Sequence, residues 1–283
     1  DPDARVRALD DMGIDVQFLF PSTSYAATSI DPGLEAALFR AYNRYVGAQC
    51  EHAPRRLKWA GLLPLREPRQ GLEALAEMQK LGASAAVVFG TAGEQMLSDT
   101  AFTPIWDAFS ESKLPLCIHM GMSYPPFAKL CFSIQDANMI GKAMPAQLAF
   151  VALVGHGMLD RYPDLRIAFL EFGGEWIFYS VGRMNHYVEV NRRRMADPTM
   201  LPRNMIEEYV QSGRLFLGVE ANDTMLAHEL KLLGEGQVLY SSDFPHGEGR
   251  DDAAIEIIQR NDITDDQKRK VLYDNAVGLY GDP

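Results

Sequence analysis

The stretch "GQVLYSSDFPHGEGR", residues 236–250, joins a short apolar run to reactive side chains. The run VLY leads through two serines to the carboxyl group of Asp243, and the imidazole of His246 follows three residues later. A short, continuous apolar run is typical of a strand that is buried on both faces of a parallel sheet. The stretch therefore predicts a parallel strand that ends on a carboxylate at one edge of the sheet.

Similar apolar runs recur along the chain, and helical patterns separate them. Strands that alternate with helices over a whole chain indicate an α/β fold. We predict a (β/α)₈ TIM barrel, because no G-x-G-x-x-G motif follows the first strand as a dinucleotide-binding sheet would require. The predicted strands are residues 15–20, 57–63, 84–89, 114–119, 165–171, 214–220 and 237–242.

The helical segments carry start and stop signals. Asp31 is expected to cap a helix that has Pro32 at its first position, and Gly82 is expected to end the next helix. The chain has no linker or repeat, so we predict a single domain over residues 1–283. The other predicted helices cover residues 1–15, 98–113, 147–163, 174–195, 251–261 and 265–281.

The strand count is one short of the eight that a closed barrel of this class requires. Because the chain opens on a helical pattern at residues 1–15, the missing strand would be the first. We expect that a preceding segment of the natural protein supplies it. The alternative is a barrel that is closed by an element the sequence does not reveal.

Composition narrows the choice of partners and compartment. Acidic side chains number 38 against 27 Lys and Arg, which gives a net charge of −11 and disfavours nucleic-acid and membrane partners. No uncharged apolar run reaches membrane-spanning length, and no secretory signal is recognised. The three cysteines, Cys50, Cys117 and Cys131, form neither a disulfide framework nor a zinc motif, so a cytoplasmic setting is expected.

Four consecutive predicted strands end on or near an ionisable side chain: His119, Glu171, Glu220 and Asp243. Each acid could simply cap the following helix, but four such groups on one edge favour a functional site, since isolated buried charges are costly. The imidazole of His119 and the carboxylate of Asp243 suit a divalent metal, either zinc or manganese. Two ligands are too few, and the missing strand would supply the others.

Three further features bear on the chemistry. His246 lies in the loop above Asp243 and is a candidate for contacting the substrate or orienting a ligand. Cys117 precedes His119 by two residues on the same side of the strand but deeper, which indicates a core position. Serine-nucleophile chemistry is excluded because the chain has no G-x-S-x-G elbow.

Several motifs carry a resemblance that covers nearly the whole chain. They are "LPLCIHMG", "DRYPDLRIAFLEFGGEW", "LYSSDFPH" and "NAVGLYG". Together they resemble the amidohydrolase-related (amidohydrolase 2) family, in the branch that includes aminocarboxymuconate-semialdehyde decarboxylase and the resorcylate decarboxylases. The resemblance implies a barrel with one catalytic divalent metal, usually zinc. His119 would be a ligand, and Asp243 a ligand, a general base, or both.

The resemblance also implies features that the chain lacks or changes. The family's first strand carries a further ligand pair, His-x-His or acid-x-His. This chain has no such motif before its opening stretch "DPDAR". Homodimers are common in the family. Its decarboxylases have a proton-transferring histidine where this chain has Glu171, and a carboxylate there would repel a substrate carboxylate.

We therefore predict a metal-dependent hydrolase of a small aromatic or cyclic substrate. A metal-activated water would attack, Asp243 would move its proton, and Glu171 would orient the water or substrate. A non-oxidative decarboxylase that uses the same site, with Asp243 or His246 handling the proton, is the alternative. A third hypothesis is a barrel without catalysis that serves as a binding module. Trp176, Tyr124 and Phe127 are candidates for shaping the pocket, and Gly173–Gly174 for a close backbone approach.

Overall fold

A computed structural model describes residues 1–22, 31–121, 123–195, 200–246 and 249–283. Its centre is a curled sheet of seven strands that follow one another in chain order, and every neighbouring pair is parallel. All seven predicted strands are present within two residues of the expected bounds. They are β1 Gln17–Leu19, β2 Leu57–Leu62, β3 Ala85–Val88, β4 Leu116–His119, β5 Ile167–Leu170, β6 Leu215–Glu220 and β7 Val238–Ser241.

Helices connect the strands. Among the described residues they are α1 Pro2–Met12, α2 Pro32–Cys50, α3 Pro68–Lys80, α4 Thr103–Ser112, α5 Pro125–Ala128, α6 Ile134–Phe150, α7 Met158–Arg161, α8 Trp176–Arg192, α9 Ile206–Val210, α10 Leu226–Leu233, α11 Ala253–Gln259, α12 Asp265–Arg269 and α13 Asn275–Tyr280. Wider π turns extend α6 over Val151–Gly155 and join α12 to α13 over Lys270–Asp274.

The predicted helix signals work as expected. The Asp31 side chain accepts the backbone N–H of Leu34 at 2.9 Å and caps α2. Gly82 follows α3 with a φ of +77°, a conformation that costs glycine little. Helix α6 begins earlier than predicted, because Ser133 and Asp136 form a reciprocal capping box.

The sheet separates two hydrophobic clusters, one inside the curl and one between the strands and the helices. Cys117 belongs to the inner cluster and its neighbour Ile118 to the outer one; Ala168 and Phe169 divide in the same way. Successive side chains point to opposite faces of a strand, so a sheet covered on both faces needs apolar residues at every position. This double burial explains the continuous apolar runs, and it confirms the core position of Cys117.

One helical stretch, Ile134–Gly155, is long and apolar enough to cross a membrane by length and composition alone. A helix that packs in a protein core meets the same criterion. Here α6 contacts β4 and α8, and its second half is buried at Pro145, Ala149 and Phe150. We interpret it as a packed helix of the barrel wall.

The curled sheet has two unpaired edges among the described strands. β1 pairs with β2 and β7 pairs with β6, and no pairing joins β7 to β1 in the part of the chain that the structure describes. The gap lies where the eighth strand of a closed barrel would be, next to the first predicted strand. The eighth strand itself stays a prediction.

Candidate active site

Four consecutive strands bring ionisable side chains to one edge of the sheet. β4 ends at His119 and β6 at Glu220, while Glu171 directly follows β5 and Asp243 lies two residues after β7. Parallel pairing of β4 with β5 and of β6 with β7 puts their carboxyl ends side by side. The strand ends therefore meet at one edge, as the sequence predicts.

His119 lies at the bottom of the site, and its side chain is 3% exposed. Its Nδ1 lies 3.1 Å from the carbonyl oxygen of Met120, so the Nδ1–H donates to that oxygen. Its Nε2 lies 3.5 Å from Glu171 Oε1. With Nδ1 protonated, the Nε2 lone pair is directed at an anion, an arrangement that a shared proton or a bound cation stabilises.

Glu171, Asp243 and His246 form the upper part of the site. Each presents one ligand atom, and these atoms lie within 4.8 Å of one another. His246 Nδ1 lies 2.6 Å from Asp243 Oδ1, and the backbone N–H of His246 donates to the Asp243 carbonyl at 2.9 Å. Two carboxylates and two imidazoles thus converge on one small space.

The charges of these groups are strongly coupled. Burial alone would lower the pKa of His119, but the carboxylates of Glu171 and Asp243 outweigh it and raise that pKa. Burial would raise the pKa of Glu171, but the contact with His119 lowers it. Burial and the Glu171 charge both raise the pKa of Asp243. Glu171 is therefore the carboxyl group of the pair that stays ionised.

Both carboxylates lie on left-handed backbone. The φ angle is +61° at Glu171 and +51° at Asp243. Such a conformation is uncommon for residues other than glycine and costs about 1 to 3 kcal/mol, so it persists where the surroundings hold it. It follows that loop packing, as well as the strand, aims these two side chains.

A cavity of about 270 Å³ opens between β1 and β7 and includes all four groups in its lining: His119, Glu171, Asp243 and His246. Its other wall is apolar and aromatic. The Phe20 ring lies 5.9 Å from the His119 ring, and the Phe18 ring lies 3.9 Å from that of Tyr280. A polar end and an aromatic wall suit a planar organic molecule.

Other residues considered from the sequence lie elsewhere. Glu220 Oε1 is 3.7 Å from Lys142 Nζ and does not line the cavity. Trp176 is buried in the outer core, where its ring lies 5.0 Å from that of Phe169. Tyr124 and Phe127 contact each other away from the cavity. None of these three aromatics is in the lining of the cavity.

The aromatic wall is the part that sequence reasoning missed. Phe18 and Phe20 are two apart in and after β1, so their side chains face the same side of the sheet. That spacing was visible in the sequence. Tyr280 comes from the last helix, and no sequence signal ties it to the site.

The protein-family comparison gives one match, to the family described as Amidohydrolase, over residues 1–281. Among curated proteins, gamma-resorcylate decarboxylase of Polaromonas sp. is 25% identical, over 98% of this chain and 86% of the relative. The 2-amino-3-carboxymuconate-6-semialdehyde decarboxylase of Dictyostelium discoideum is 24% identical, over 99% and 77%.

Solved structures agree with the fold. The 5-carboxyvanillate decarboxylase of Novosphingobium aromaticivorans, complexed with manganese and 4-hydroxy-3-methoxy-5-nitrobenzoic acid, superposes with a TM-score of 0.85. The two sequences are 21% identical, and the match covers 98% of this chain and 79% of the other. At this identity the likeness shows the fold of the curled seven-stranded sheet alone.

Proposed function

The chain belongs to the amidohydrolase family and is an enzyme of that superfamily; from this premise we propose that it is a metal-dependent, non-oxidative decarboxylase of an aromatic carboxylic acid. The observation that carries the proposal is the convergence of two imidazoles and two carboxylates on a cavity with an aromatic wall. Both curated relatives named above are decarboxylases. The prediction of hydrolysis finds no support among them, and the alternative prediction takes its place.

The donor set fits a divalent cation. Imidazole nitrogen and carboxylate oxygen together suit manganese or zinc, and two close carboxylates need a positive charge between them. We propose that His119 Nε2, Glu171 and Asp243 hold the ion and that His246 orients Asp243 through its Nδ1–H. The manganese of the Novosphingobium enzyme favours that metal over the zinc expected from the sequence.

The role of Glu171 differs from the sequence prediction. Its negative charge argued against a substrate carboxylate. In the folded chain the carboxylate lies 3.5 Å from His119 Nε2, so its charge is directed at an imidazole. As a metal ligand Glu171 would be neutralised further, and the objection to decarboxylation loses its weight.

The reaction breaks the bond between a ring carbon and its carboxylate. When bound, a divalent metal would hold the oxygen groups of the substrate and withdraw electron density from them. The Asp243–His246 pair would deliver a proton to the ring carbon that bears the carboxylate. The electrons of the breaking carbon–carbon bond then restore the aromatic ring, and carbon dioxide leaves. His246, 40% exposed at its side chain, can exchange protons with solvent.

We also propose that an eighth strand lies between β7 and β1 and contributes further metal ligands. The support is the gap itself, which borders the cavity and leaves two parallel edges without partners among the described strands. The test is metal stoichiometry. Residues 1–283 alone should bind manganese or zinc weakly. Stoichiometric binding by residues 1–283 alone would contradict the closing strand.

The reaction itself is tested at saturating manganese with a panel of hydroxybenzoic acids that includes γ-resorcylate and 5-carboxyvanillate. One carbon dioxide and one ring product with a new C–H bond should form per substrate consumed. In deuterium oxide that bond should carry deuterium. Two organic fragments from an ester, amide or lactone, without carbon dioxide from the acids, would instead support hydrolysis.

A further inference from the structure

A second acidic group lies behind the loop that carries Glu171. Glu229, on α10, is 0% exposed, and no N–H or O–H donor of the described residues reaches either of its carboxyl oxygens. A buried carboxylate without a partner is strongly destabilising. Glu229 does not line the catalytic cavity, so the proposed reaction does not explain it.

Charged groups from three other elements face Glu229. Asp223 follows β6, Glu175 precedes α8, and Arg260 follows α11. Arg260 does not neutralise the group, because it donates to the carbonyl oxygens of Ala221 and Asp223 and pairs with the Asp262 carboxylate at 2.6 Å. Glu229 therefore lies mainly among acids.

Close contact with Gly174 fixes the position of the Glu229 carboxyl group. A Cβ atom built on Gly174 would lie 1.6 Å from Glu229 Oε1 and 2.2 Å from its Cδ. The carboxyl group thus occupies the space of the missing side chain. The backbone N–H of Gly174 donates to Asp223, and the Trp176 Nε1–H donates to the Gly173 carbonyl at 3.1 Å.

This Gly173–Gly174 loop begins two residues after Glu171, whose left-handed backbone needs support from its surroundings. The close approach predicted for the glycine pair is present at Gly174, where the group that approaches the backbone is the Glu229 carboxyl group. What Glu229 and Asp223 hold in place is therefore the loop that aims a proposed metal ligand.

Protonation resolves the lack of a donor. Burial first, and then the charges of Asp223 and Glu175, raise the pKa of Glu229 to about 8. Burial likewise raises the pKa of Asp223. A neutral Glu229 has an O–H group, and the Asp223 carboxylate is within hydrogen-bond reach to accept it.

We propose that Glu229 is a positioning residue: it stays a neutral carboxylic acid in the folded protein, donates its O–H to Asp223, and through Gly174 fixes the loop that aims Glu171 into the cavity. The proton shared by Glu229 and Asp223 does not depend on the proposed function. The effect of Glu229 on Glu171 as a metal ligand rests on the proposed function.

The protonation of Glu229 is tested by comparing the thermal stability of Glu229→Gln with that of the unchanged, wild-type protein between pH 5 and pH 9. The pKa of Glu229 has its ordinary value of 4.5 in the unfolded chain and is about 8 in the folded chain. The folded state therefore holds an extra proton between these values, and its stability falls as the pH rises through them. Gln donates to Asp223 at every pH and lacks this loss.

The melting temperature of the unchanged protein should fall relative to Glu229→Gln by about 5 °C or more from pH 5 to pH 8. Glu189→Gln, an exposed exchange on α8, is the matched control and should give a curve parallel to that of the unchanged protein. Parallel curves for Glu229→Gln would overturn the shared proton.

The positioning role is tested with Glu229→Ala, which removes the carboxyl group from Gly174. Manganese affinity, measured by calorimetry, and kcat should both fall about tenfold or more, with a smaller change in KM, and Glu229→Gln should restore them. Lower stability with unchanged manganese affinity would mean a purely structural role and overturn the link to Glu171. Manganese affinity and the pH curves do not use turnover, so they remain decisive if decarboxylation is not found.

Discussion

Glu171 and Asp243 lie beside two imidazoles at the cavity, whereas Glu229 and Asp223 lie behind the same loop with no histidine among the groups that shift their pKa values. Both pairs are at least partly buried, and both bring like charges together. The first pair can be stabilised by positive charge from His119, His246 and a metal. In the second pair, by our proposal, one member keeps its proton. Glu171, in contact with an imidazole, has a lowered pKa although it is partly buried, whereas Glu229, which lies among acids, has a raised pKa.

The largest expected effect comes from the cavity pair. Asp243→Asn removes the proposed proton carrier and one anionic ligand, so kcat should fall on the order of 10³-fold. Stability should change little, because the amide is nearly isosteric. Steady-state kinetics with saturating manganese and a melting curve measure both. If Asp243→Asn retained more than a tenth of the activity, the proposed catalytic role of Asp243 would be wrong.

The loop between the two pairs gives the next effect. Gly174→Ala forces a Cβ into the Glu229 carboxyl group and should lower the free energy of unfolding by about 2 kcal/mol or more, measured with urea. Gly182→Ala, on α8 with no atom within 4 Å of its Cβ position, is the control and should be neutral or stabilising.

A double-mutant cycle sharpens this result. The double variant Gly174→Ala with Glu229→Ala should lose less free energy of unfolding than the two single variants lose together. The difference should be at least about 1 kcal/mol, because the second change makes room for the first. Additive costs would mean that the two residues do not contact each other.

A third buried carboxyl group, that of Glu35, has an arginine partner and so is intermediate between the cavity pair and the Glu229–Asp223 pair. Glu35 Oε2 is 3.0 Å from Arg66 Nη1, and the Glu35 side chain is 4% exposed. Burial raises its pKa to about 7 although Arg66 lowers it. The stability of the folded protein should therefore decline as the pH rises from about 4.5 to about 7. The melting temperature relative to Glu35→Gln should fall over this range and level off above it.

The smallest effect is expected at Glu220, which is at the same strand edge but outside the cavity. Its side chain is 40% exposed and 3.7 Å from Lys142. Partly exposed ion pairs contribute about 0 to 1 kcal/mol. Glu220→Gln should change stability by less than about 1 kcal/mol and leave kcat within about twofold. A loss comparable to that of Asp243→Asn would place Glu220 in the site.

The strands and much of the site could be predicted from the sequence. Strands that are buried on both faces of the sheet need unbroken apolar runs, so each of the seven strands could be predicted from its own run. Because parallel strands end at a common edge, the residues that follow them could be grouped without coordinates. His119, Glu171, Asp243 and His246 meet as that rule predicts. The missed helices α5, α9 and α10 are short, and short segments carry few periodic positions.

The sequence by itself determined the α/β architecture, the order of the strands and the edge where the reactive groups gather, since all three follow from local patterns repeated along the chain. Only the tertiary structure decided how each acid behaves. Glu229 resembles an ordinary solvent-facing helix residue in the sequence, and its burial follows from the packing of α10 on the loop at Gly174. A carboxyl group's ionisation depends on the groups that surround it in space, and those come from strands and helices far apart along the chain.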